Sequence, residues 1–96
     1  MTKVELVSAV AAEAGVSKRV VEDVLNAFTF TVTNALASGE SVLMDSFGIF
    51  EPKIRKERWG RDINKNTMLR IPEKTIPHFK PGSRLMEAVS KGGKEK

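Results

Sequence analysis

Two prolines, Pro52 and Pro72, stand on either side of a polar, turn-rich run at residues 60–67, with segments of strand character leading into and out of it. No other feature restricts the fold of this chain so tightly. Proline has no amide proton to give to a sheet ladder, so it is confined to edges and bulges. A strand pair with one on each limb does not sit in the middle of a sheet. The pattern predicts a long hairpin, about residues 51–76, standing out as a free two-stranded ribbon. Pro77 is expected to interrupt the returning strand again.

The charge falls on the same segment. Residues 51–76 carry eight cations (Lys53, Arg55, Lys56, Arg58, Arg61, Lys65, Arg70 and Lys74) against four acids, a net of +4 that equals the formal charge of the whole chain. The remaining seventy residues are neutral in sum. A positive field gathered on one projecting element suits a polyanion, because neutralising phosphates releases their condensed counterions. The chain has a pI near 9.6, which points to nucleic acid or an anionic membrane surface.

The rest must form the body. At 96 residues the chain is one domain, with the ribbon and the tail contributing little to any core. The remainder is small, which favours two chains sharing one apolar centre. Absence of cysteine excludes disulfides and thiolate metal sites. No apolar run approaches the roughly 18 residues of a membrane span. The start, MTKVELVSAV, has Glu5 and no long apolar stretch, unlike a cleaved leader. A soluble, cytoplasmic protein is expected.

Thr2 and Glu5 have capping-box spacing, followed by Val7, Val10, Ala11 and Ala14 on one helical stripe and by Gly15 as a stop. Ser17 caps a second helix whose apolar face is Val21, Val24, Leu25, Phe28, Val32, Ala35 and Leu36, closed by Gly39. The pair has the outline of a helix-turn-helix. Beyond Lys18 and Arg19, however, the second helix has no cation for a DNA groove, so its apolar face reads as core. From Ser41 the period changes to two: Val42-Leu43-Met44, then Phe47, Ile49 and Phe50, with Asp45-Ser46 between the strands. Pro81-Gly82-Ser83 opens a short helix carrying Leu85, Met86 and Val89, and residues 91–96 read as a flexible basic tail.

The order helix, helix, strand pair, long basic hairpin, short helix resembles the bacterial histone-like DNA-binding family of HU and integration host factor. The resemblance covers residues 2–90 without gaps. It rests on Phe47-Gly48-x-Phe50, on Arg55-x-x-Arg58-x-x-Arg61 and on Phe79-Lys80-Pro81-Gly82. It implies an α+β fold: an intertwined dimer with a helical body, a short three-stranded sheet per chain and a long basic β-ribbon arm. One histone-like domain would cover residues 1–90. Phe28, Phe47, Phe50 and Phe79 would lie in the dimer core.

Double-stranded DNA is the implied partner, held in the minor groove by Lys53, Arg55, Lys56, Arg58, Arg61, Ile63, Lys65, Arg70, Lys74 and Lys80. The expected outcome is bent or compacted DNA in the nucleoid, with little dependence on sequence. The assembly is expected to be a homodimer, or a heterodimer with a paralogue, with no membrane association. A site-preferring bender of the integration-host-factor kind is the alternative. A module binding RNA, an acidic protein or a membrane surface is the rival of a different class, weakened by the arm's single exposed aromatic, Trp59.

The tip departs from the family. There Arg-Asn-Pro is usually followed by Gln/Lys-Thr-Gly, whereas this chain has Arg61-Asp62-Ile63-Asn64-Lys65-Asn66-Thr67. Ile63 takes the place of the proline that wedges between base pairs and is the candidate intercalating residue; isoleucine has the size and polarity for it. Without a proline ring the tip should be harder to order, and Asp62 should set a negative charge toward phosphate. Trp59 is expected to pack across the ribbon on Met68 or Leu69, or against sugar and base edges. His78 reads as structural. No histidine base or carboxylate pair is spaced for hydrolysis, so neither an enzyme nor a metal or other cofactor is expected.

Overall fold

The computed structural model describes residues 1–92, and the chain forms two compact units, Met1–Asn34 and the part from Ala35 onward. The first unit holds α1 (Lys3–Ala14) and, after a short turn, all but the last three residues of α2 (Lys18–Ala37). The capping box is present: Glu5 N donates to Thr2 Oγ1 at 3.3 Å and Thr2 N donates to Glu5 Oε1 at 2.8 Å. Gly15 ends α1 at φ 73, with its amide and that of Val16 both donating to Ala11 O at 2.9 and 3.2 Å. Ser17 Oγ accepts from Val20 N at 3.2 Å and so caps α2.

Val7, Ala11 and Val21 are the buried core of this unit, with Leu25 packed against them. Lys3 Nζ donates to Asn26 Oδ1 at 2.6 Å, a polar tie between the two helices. The expected stripe is wider than what the chain buries: Val10, Ala14 and Val24 stay exposed. At the far end of α2, Gly39 (φ 90) closes a Schellman motif, its amide donating to Leu36 O at 3.0 Å and that of Glu40 to Ala35 O at 2.8 Å.

Among the described residues the second unit holds five strands. β1 (Val42–Met44), β2 (Gly48–Arg55) and β5 (Lys74–Pro81) make an antiparallel sheet in the order β1-β2-β5, and β3 (Arg58–Asp62) pairs with β4 (Thr67–Ile71) as a separate ribbon. The turn before β2 takes in Phe47 as well as Asp45 and Ser46, with Phe47 N donating to Met44 O at 3.0 Å. Ser46 at φ 68 supplies the reversal.

Gly48 follows because nothing larger fits. A Cβ there would lie 2.6 Å from the Phe79 ring and 2.7 Å from Lys80 O. That close approach lets Phe79 lie against both Phe47 (centroids 5.5 Å) and Phe50 (4.9 Å).

The prolines explain where the ladder holds and where it stops. In an antiparallel pair, opposed residues either exchange both hydrogen bonds or neither, alternately along the strands. Pro52 faces Pro77, and Pro81 faces Gly48, four pairs away and therefore of the same kind. Neither member of the Pro52–Pro77 pair can donate, so both sit without loss only where the amides point away from the partner. Pro77 thus lies within β5, and the expectation that it would interrupt the strand is corrected.

Pro72 falls on the other parity. The register is the same on both sides of the gap, Arg55 facing Lys74 and Arg58 facing Ile71, which sets Pro72 across from Glu57. That position requires a donor and proline has none. Pairing lapses at Lys56-Glu57 and Pro72-Glu73 and resumes beyond them.

α3 (Ser83–Gly92) starts after Gly82, whose amide donates to Phe47 O at 2.8 Å. It includes Lys91 and Gly92, which the sequence reading placed in the tail; the rest of that tail, residues 93–96, lies outside the described residues. Leu85 of α3 is half-buried, while Met86 and Val89 are exposed.

Candidate nucleic-acid interface

Alternation along β2 and β5 separates their side chains by chemistry. One face carries Gly48, Phe50, Pro52 and Ile54 with Thr75, Pro77 and Phe79. The other carries Ile49, Glu51, Lys53 and Arg55 with Lys74, Ile76, His78 and Lys80. Four cations therefore share the face turned away from the phenylalanines. Arg55 and Lys74 are directly opposed, a like-charge pairing that costs stability in a ladder. The acid on that face, Glu51, is already engaged: its Oε2 lies 3.2 Å from Nδ1 of His78, the residue opposite. A sheet face that opposes cations without an acid between them is arranged for an anion from outside.

In the outer ribbon Trp59, Arg61, Met68 and Arg70 share one face, and Arg58, Gly60, Asp62, Thr67, Leu69 and Ile71 the other. The arginine triplet is therefore divided. Arg61 points to one side and Arg58 to the opposite one, since a three-residue spacing changes face in a strand. Trp59 is directly across from Arg70 and diagonal to Met68, whereas Leu69 is on the far face and is excluded as its partner. Trp59 is 63% exposed and Met68 62%, so this apolar patch lies open beside two arginines. Gly60 leaves room on the opposite face for Ile71, whose Cδ1 would meet a Cβ there at 2.9 Å.

Among the described residues, two of the expected contact residues have hydrogen-bonded side chains. Arg70 donates to Glu57 through Nε (2.6 Å) and Nη2 (3.0 Å), a two-pronged ion pair that raises the guanidinium's already high pKa. Arg61 Nη2 donates to Asn66 Oδ1 at 3.1 Å. Lys53, Lys56, Arg58, Lys65, Lys74 and Lys80 are exposed, and Arg55 is half-buried.

The tip is closed by its own side chains. Asp62 Oδ1 accepts from the amides of Asn64 (3.0 Å) and Lys65 (3.3 Å), so its carboxylate is turned into the hairpin turn. Asn66, at the place of the family's glycine, takes the left-handed conformation at φ 54. Asparagine tolerates that region better than most residues do. Ile63 stands at the crest, 88% exposed.

Sequence reasoning passed over Glu57 and Asn66. An acid opposite a proline in a basic hairpin is the signal for the first. The second could have been found from the need for one left-handed residue in a short turn.

A family model for bacterial DNA-binding proteins matches residues 1–90. The chain belongs to this family. Among its curated relatives is DNA-binding protein HU of Thermotoga maritima, 43% identical over 91 residues, covering 93% of this chain and 99% of the relative. HU-beta of Pseudomonas aeruginosa is 40% identical over 90 residues, covering 94% and 100%. Among solved structures, a co-crystal of Anabaena HU with DNA matches at a TM-score of 0.89 and 40% identity, covering 94% of this chain and 98% of that one. HU from Thermotoga maritima matches at 0.65 and 35%, covering 93% and 98%. The family's α+β architecture, with three helices and antiparallel strands, is the one found here.

Proposed function

We propose that this protein is an architectural binder of double-stranded DNA that works as a dimer, laying its basic ribbons in the minor groove and bending the duplex with little regard to sequence. The observation that carries the reading is the cationic face of β2 and β5, where Lys53, Arg55, Lys74 and Lys80 stand together and the nearby acid is spoken for by His78. Lys56, Arg58, Arg61, Lys65 and Arg70 extend the positive charge outward to the tip. Phosphate contacts of this kind position a protein without reading bases. Ile63 acts as the wedge: its side chain enters a partly unstacked step, and the cost is offset by the contacts that bent DNA makes. The relatives are named as DNA-binding proteins, and one neighbour is seen with DNA. None of the comparisons speaks for RNA or an acidic protein partner.

Dimerisation is supported by what one chain leaves open. Val20, Val24 and Phe30 of α2 and Phe47 beside the sheet are all exposed. Phe28, Phe50 and Phe79 are half-buried. A second copy covering such surface would complete the core. The place of action is the nucleoid in the cytoplasm; among the described residues no helix is long and apolar enough to cross a membrane.

The test is a titration of several unrelated duplexes over a range of salt. Affinity falls steeply with salt and is similar for all sequences, and Arg55→Ala lowers the salt slope by about one. Tight binding to one short site that persists at high salt would replace this reading with a site-preferring one.

A further inference from the structure

We infer that Asp62 and Asn66 are the positioning residues of the arm tip, building from side-chain hydrogen bonds the rigid turn that presents Ile63. The inference rests on the wedge reading of Ile63 for its consequence in DNA bending, though not for the turn itself. A hairpin tip that must push one side chain between base pairs works only if its backbone does not yield. Proline and glycine are the usual means, one fixing φ and the other occupying the left-handed region. Residues 61–67 contain neither.

The geometry supplies both functions in another way. Asp62 Oδ1 gathers the amides of Asn64 and Lys65 at 3.0 and 3.3 Å, closing a turn around Ile63. Asn66 takes the left-handed position at φ 54, and Arg61 Nη2 holds its side chain at 3.1 Å. The bonds lie on both sides of Ile63, and its side chain stands 88% exposed between them. An apolar side chain of that size lowers its free energy by packing on its neighbours. The turn holds this one out in water.

The role also accounts for an acid at the tip of a polyanion-binding arm. A carboxylate there repels phosphate, and aspartate is tolerated because its oxygen is a turn acceptor turned onto backbone amides. The needed property is the acceptor and not the charge. Asparagine at position 62 has the same acceptor without the charge.

The experiment compares Asp62→Ala, Asp62→Asn and Ile63→Ala in the full-length protein, by energy-transfer bending of a short duplex and by amide-proton exchange at Asn64 and Lys65. Asp62→Ala is expected to speed exchange at both amides by about fivefold, the equivalent of a typical net hydrogen bond, and to lower the bend to that of Ile63→Ala. Asp62→Ala combined with Ile63→Ala bends no less than either single variant. Asp62→Asn keeps the slow exchange and the parent's bend. Unchanged exchange in Asp62→Ala overturns the inference, as does an Asp62→Asn variant that loses as much as the alanine. If Ile63→Ala bends DNA like the parent, the wedge reading fails, while the exchange rates still decide whether Asp62 orders the turn.

Discussion

Glu57 grips Arg70 across thirteen residues of chain, its Oε2 2.6 Å from Nε and its Oε1 3.0 Å from Nη2. The pair sits beside the place where Pro72 interrupts the ladder, so an ion pair bridges the limbs next to the missing backbone bond. It also answers that guanidinium's charge within the chain. Glu57→Gln should free that guanidinium and remove a negative charge at once. Affinity for any duplex rises several-fold at low salt, and the salt slope steepens by about one. Binding isotherms at four or five salt concentrations check this; an unchanged slope means that Arg70 never reaches a phosphate.

Pro72 makes the second prediction. It stands on the parity that calls for a donor, so Pro72→Val supplies the amide that the ladder lacks. Pairing should then run from β2 through β3 without a gap. The new amide at position 72 becomes protected from exchange, and the stiffened arm follows a bent duplex less readily. An amide at 72 exchanging at the rate of an open chain would show that something other than the missing donor breaks the ladder.

A further prediction concerns Trp59. It lies open beside Met68 on the face of Arg61 and Arg70 and is the chain's one tryptophan. Pressed against the apolar sugar walls of a groove, it contributes through area and not charge. Trp59→Ala should weaken binding about fivefold, roughly 1 kcal/mol for a partly covered ring, by the same factor at every salt concentration. Its emission should change on adding duplex DNA. A loss that shrinks as salt rises would assign the effect to displaced arginines instead.

The aromatic cluster tests the assembly. Phe79 lies against Phe47 and Phe50, yet Phe47 is 46% exposed in the single chain. Covered by a second copy, these rings are buried, and Phe47→Ala costs about 3–5 kcal/mol. The parent should size as a dimer of the 10.6 kDa chain at micromolar concentration, with an unfolding midpoint that rises with protein concentration. A folded monomer, or a Phe47→Ala variant as stable as the parent, counts against the shared core.

Much of this protein was written locally. Thr2 with Glu5, Gly15, Ser17 and Gly39 set the helix ends because caps depend on a few consecutive residues, and the change of period at Ser41 announced the sheet. The cations of the arm were equally plain, since charge is counted and not folded. What pairing decided was invisible in the string. Prolines at 52, 72 and 77 look alike in sequence, but only the register tells which of them faces a needed donor, so Pro77 continues a strand while Pro72 breaks one. The same register divides Arg58 from Arg61 and gives Trp59 to Met68 over Leu69. The bonds of Asp62 were hidden for a similar reason: whether a carboxylate meets solvent or its own backbone depends on the turn it closes, and that turn exists only once the two strands have met.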